Sequence, residues 1–271
     1  MTEDQLRSLE RRFRERGDLE DEVAWLSARR RVGDLSDARL RLAAFCGHAG
    51  ARRVAGEGAG PPEAGLPEER DARARCGLAV ARSVFPLLRS LPDGLQSPGP
   101  DGTEIGEGDR DRWNETDRWL LEAAEALLLA ESSPGWLEPA AVARERLLAI
   151  GFLSEEQVRD PRDGLRRELM PAWAALKART LCSADSPEPE LRHLAASAAF
   201  FHGVAWAFPE VPDSLAEALN QARRALGGPG AGLTPPWPPA LEASLLAEVA
   251  PWALGYGDPL ADRLSLERAH D

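Results

Sequence analysis

Lysine and tyrosine are almost missing. Of 33 basic residues among 271, a single one is lysine, Lys177, and the chain has one tyrosine. So strong a preference for arginine, with abundant Ala, Gly and Pro, reads as the codon usage of a GC-rich gene and carries no function. The three cysteines, Cys46, Cys76 and Cys182, are odd in number, far apart and form no Cys-x-x-Cys. That excludes a disulfide framework and a thiolate zinc knuckle, and leaves each as a small buried hydrophobe in a reducing compartment. No apolar run approaches the roughly 18 residues that span a bilayer. Met1 to Arg16 is charged throughout, so no secretory leader is read there and a cytoplasmic location is expected. Phosphate loops of the Gly-x-x-x-x-Gly-Lys type, Gly-x-Ser-x-Gly elbows, His-Glu-x-x-His and dinucleotide fingerprints are all missing. Sustained two-residue alternation is missing too, which with few Ile, Thr and Tyr argues against strands.

What is present is acidic and apolar. Asp and Glu number 45, giving a net charge of −12, and hydrophobic residues make up 43%. The pI is about 5.0. Such a molecule repels free polyanions as a whole, which excludes a general nucleic-acid or anionic-membrane binder. The apolar content excludes wholesale disorder.

The dominant period is helical. Thr2 and Gln5 form a capping-box pattern at the head of 2–16, where Leu6, Leu9 and Phe13 share a stripe. Gly17 stops that helix and Asp18 caps 19–32, with Leu19, Val23, Leu26 and Arg30 on one face and Trp25 beside it. Gly33 ends it, Ser36 caps a third helix, and a short fourth runs to about Val54. Residues 1–55 are therefore read as an N-terminal helical module, 56–67 as a Gly/Pro-rich linker and 68–271 as a helical body. The body is predicted to hold helices from Glu68 to Leu91 (kinked at Pro86), over 115–131 and from Glu138 to Ile150. A short one follows behind a capping box of Ser154 and Gln157, then Leu165 to Leu181 (interrupted at Pro171), Pro187 to about Phe208 and 214–226, with two short ones at the end. Loops are expected at 92–112 and 227–239. The fold class is all-α, an irregular multi-helix bundle or an array of helical hairpins. The first 55 residues carry few large apolar side chains, so a core shared with the body through Leu6, Phe13 and Trp25 is expected.

Arg39 to Val54 reads R-L-R-L-A-A-F-C-G-H-A-G-A-R-R-V. It resembles the hairpin of ankyrin and Sel1-type helical repeats, with His48 as a turn cap. The pattern occurs once, with a poor echo at Leu194-Ala195-Ala196, whereas repeat folds need about three units. The opening up to His48 also resembles the start of a set of uncharacterised myxobacterial helical proteins. That resemblance implies a recurrent N-terminal module and no particular activity.

Four further features are candidates for chemistry. Glu190/His193 and Glu267/His270 share a Glu-x-x-His spacing that puts both side chains on one helix face, as in ferritin-like metal bundles. Chance explains such pairs well among 45 acids and four histidines. His202 lies in an almost wholly apolar helix, where a core histidine with satisfied hydrogen bonds is the plainer reading. Arg29, Arg30 and Arg31 form a basic run that would suit an acidic partner, phosphate or a salt-bridged surface. Trp237, in P-P-W-P-P, reads as an aromatic anchor in an extended segment, packed across the body or offered to a partner. No catalytic set assembles from these residues, and no cofactor is expected. The leading expectation is a non-enzymatic helical interaction or scaffold protein with a protein partner. One alternative is a helical-bundle metal enzyme using Glu190, His193 or His202. Another is an adaptor that binds an acidic partner through the arginines.

Overall fold

The computed structural model describes residues 1–56, 69–89, 188–205, 214–227 and 236–268, with helical positions 118, 121, 122, 124, 125, 128 and 129. The fold is all-α, and no strand occurs among the described residues. None of their helices is long and apolar enough to cross a membrane. The expected linker beyond Gly56, the loop at 92–112 and most of that at 227–239 lie outside the described residues. So do the helices expected at 138–150, behind the Ser154/Gln157 capping box and at 165–181.

The first helices start and stop where local chemistry dictates. In α1 (Glu3–Arg16) the capping box forms, Thr2 Oγ1 accepting from the Gln5 amide at 3.3 Å and Gln5 Oε1 from the Thr2 amide at 2.9 Å. This satisfies two donors that a helix start leaves orphaned. Asp18 caps α2 (Leu19–Val32), accepting from the Asp21 amide at 2.8 Å. Ser36 caps α3 (Asp37–Phe45) and His48 caps α4 (Ala49–Ala55). Downstream lie α5 (Arg70–Arg89), which runs through an exposed Pro86, α6 (Glu188–Ala205) and α7 (Ser214–Leu226). The chain then forms α8 (Pro239–Glu248), α9 (Ala250–Leu254) and α10 (Pro259–Arg268).

The chain divides into two compact units, one of Met1–Ala72 with Gly232–Asp271 and the other of Arg73–Ala231. In unit 1 the short C-terminal helices complete the core of the N-terminal ones. α9 packs on α3, and α4 packs on α2 and α3. Leu26, Leu40, Leu241, Leu245 and Leu254 are fully buried there. Trp237 locks the two chain segments together. Its indole donates to the Phe45 carbonyl at 2.8 Å, and its ring meets Phe45 edge-on at 5.1 Å. A buried carbonyl and a buried indole N–H thereby satisfy each other.

The buried face of α2 differs from the sequence expectation. Arg30 is exposed, and Leu19 and Val23 are only half-buried, while Asp21 and Glu22 lie inside with Trp25, Leu26 and Ala28. Both carboxylates find partners. Arg12 and Arg16 of α1 approach Asp21 at 3.2 and 3.7 Å.

Unit 2 is built on the close packing of α6 with α7. At Gly203 of α6 a Cβ would strike the Gly77 carbonyl of α5, so only glycine allows this approach of two backbones. Arg82 and the fully buried Glu125 make a bidentate pair, with both N–H···O distances 2.7 Å.

Candidate functional site

Unit 1 carries an open cleft of about 470 Å³, within the range of ligand sites. α1 contributes Leu6, Glu10, Phe13 and Arg14. α2 contributes Trp25 and Arg29, with Asp34 just beyond its end, and Gly255 and Tyr256 close the far side. Its floor is aromatic. The Phe13, Trp25 and Tyr256 rings lie within 5.3, 5.4 and 6.0 Å of one another, at interplanar angles of 14° to 36°.

The charges of the cleft are committed to one another. Glu10 pairs with Arg14 at 2.7 Å and Arg29 with Asp34 at 2.6 Å. The Arg29 guanidinium also sits 5.0 Å from the Trp25 ring centre and donates to the Leu254 carbonyl. The cation that an aromatic floor attracts is thus already supplied by the protein. Gly255 is in the left-handed conformation, φ +70°, and a Cβ there would crowd Arg29 Nη2 at 3.2 Å.

Behind the floor, Glu22 gathers a polar cluster. Tyr256 donates to Glu22 Oε1 at 2.8 Å, and His48 Nε2 lies 3.5 Å from the same oxygen. The other imidazole nitrogen, Nδ1, accepts the Ala51 amide at 3.3 Å. A neutral ring protonated on Nε2 serves both contacts. Burial holds the His48 pKa below its usual 6.5, against the opposing pull of the Glu22 charge. Burial raises the Tyr256 pKa well above 10.0, followed by its hydrogen bond to Glu22 and the Glu22 charge, with Arg29 opposing. Tyr256 is therefore a neutral donor at any physiological pH. Gly50 makes the room, since a Cβ there would run into the Glu22 carboxylate.

The residues expected from sequence are spread across the molecule. Arg29 joins the cleft. Arg30 turns to Asp37 at 2.7 Å and to the Val54 carbonyl at 3.3 Å, and Arg31 is exposed. Trp237 is buried in unit 1, with 4% of its surface exposed. His202 is buried in unit 2, on α6. Glu190 and His193 lie on the same helix, with side chains outside the described residues, and Glu267 is on α10 in the same state. His270 is outside altogether. No group of three His, Cys, Asp or Glu able to hold a metal occurs among the described residues.

Glu22 and Tyr256 are the residues that sequence reasoning missed. An acid in the first turn of a helix is explained by the macrodipole, so Glu22 gives no local signal. Tyr256 offers one, as the only tyrosine in the chain. No protein family, curated protein or solved structure matches the chain.

Proposed function

We propose that the chain is a non-enzymatic helical interaction protein and that the cleft of unit 1 receives a protein partner. The observation that carries this reading is the state of α1. It has an apolar stripe of Leu6, Leu9 and Phe13, yet no residue of the helix is buried. A helix of this pattern normally gains its stability by burying that stripe. Here the stripe lies half-covered at the edge of an aromatic cleft, the setting in which partners insert anchor side chains.

The lining supports binding over turnover. It contains no serine, cysteine or histidine, its four charged groups are paired with each other, and its one phenol is held neutral. Among the interaction readings, the cleft is favoured over the run of arginines. Arg29 and Arg30 already hold Asp34 and Asp37.

Peptides selected from a displayed random library against the full chain test this reading. Those that bind are expected to lose at least tenfold in affinity on Phe13→Ser, with circular dichroism unchanged, as removal of an anchor contact worth about 1.4 kcal/mol requires. Selected peptides that bind the Phe13→Ser variant with equal affinity would overturn it.

A further inference from the structure

We propose that the partner of this cleft is a second copy of the chain, docked antiparallel along α1 about a two-fold axis; this rests on the interaction reading above. Glu3, Arg7, Glu10 and Arg14 are spaced by four, three and four, so they form one row on the helix surface. Their signs alternate. Laid against a reversed copy of itself, the row sets Glu3 opposite Arg14 and Arg7 opposite Glu10, so every charge meets its opposite. A parallel copy would set like against like at all four positions.

This self-complementarity is what an isologous contact requires. Leu6 and Phe13 flank the row and supply the apolar part of the interface. Within one copy the row is paired as Glu3–Arg7 and Glu10–Arg14. Glu3, Arg7 and Arg14 keep more than 70% of their side-chain surface in solvent. Exposed pairs of this kind contribute little, so sharing them across an interface costs little. Two copies at −12 each repel as wholes, and α1, with five arginines against four acids, does not add to that repulsion.

Sedimentation of the full chain tests the proposal with two charge-row variants. Glu3→Arg with Glu10→Arg makes the row wholly basic, and Arg7→Glu with Arg14→Glu makes it wholly acidic. Wild type is expected at twice the 29.4 kDa chain mass, each variant alone at the chain mass, and their equimolar mixture at twice it again. Rescue on mixing is the decisive result, because a helix merely weakened by its substitutions would not regain a partner that way. Wild type that stays monomeric at every concentration, variants that remain dimeric alone, or a mixture of folded variants that stays monomeric would each overturn the proposal. If a variant loses helicity, wild type alone decides. Exchange of the α1 amides must slow as concentration rises, and exchange independent of concentration overturns the proposal. A monomeric wild type whose cleft still binds selected peptides would refute the second copy and leave the interaction reading standing.

Discussion

Tyr256 donates its hydroxyl proton to Glu22 Oε1 across 2.8 Å, tying together residues 234 positions apart. The same ring stacks on Trp25 at 5.4 Å, so one side chain closes the cleft and anchors the turn after α9 to α2. Tyr256→Phe keeps the stack and deletes the bond to a buried carboxylate. We expect it to cost about 1.5–3 kcal/mol, the range for hydrogen bonds to charged groups. Urea unfolding measures this, and a change below about 0.5 kcal/mol would show the bond to be idle.

The same bond can be read optically, because the chain has one tyrosine. Tyrosinate absorbance should not appear as pH passes 10.0 in the folded protein, the raised pKa delaying it until alkaline unfolding. In Glu22→Gln the charge is gone, and ionisation should move back towards 10.0 without loss of fold.

His48 sets an acid limit. Its folded pKa lies below 6.5, so the unfolded chain takes up the proton first. The contribution of the neutral ring is complete above pH 6.5 and is lost as pH falls through the folded value. Protonation would also displace the Ala51 amide from Nδ1. His48→Asn keeps a capping side chain and removes the titration. Its stability, measured by urea midpoints against pH, should fall less than that of wild type in this window. Equal slopes would contradict the assignment.

A peptide of residues 1–55 should not unfold cooperatively as a monomer. It retains Trp25 and Phe45 but lacks Tyr256 and Trp237, whose rings pack on them in unit 1. In the full chain, Trp237→Ala should cost about 3–5 kcal/mol, as expected for deleting a buried aromatic. A sharp thermal transition of the isolated peptide would show that the N-terminal helices hold a core of their own.

Gly203→Ala should destabilise unit 2 by about 1–3 kcal/mol, since the new methyl group meets the Gly77 carbonyl and one backbone must yield. Thermal unfolding followed by circular dichroism reads the shift. An unchanged melting curve would mean that α5 and α6 do not approach as described.

Helix starts and the all-α class were legible because their causes are local. Thr2, Asp18 and Ser36 each cap with a side chain three residues from the amide it serves. The cleft was not legible because its causes are distant. Glu22 is met by Tyr256 from 234 positions away, and Arg29 by the Leu254 carbonyl from 225. Arg29, Arg30 and Arg31 look like a patch when written in a row. A helix turns about 100° per residue, so they meet a cleft, a surface acid and solvent in turn. Trp237 lies buried, and nothing near it in sequence names Phe45 as its acceptor.

Tyr256 also supplies the most direct test of the cleft as the interaction site. With isotope-labelled tyrosine the full chain gives ring signals from this residue alone, on the wall of the cleft. Titration with a selected peptide should shift those signals along a saturable curve with the same Kd as calorimetry. Binding by calorimetry with the tyrosine signals unmoved would contradict the account.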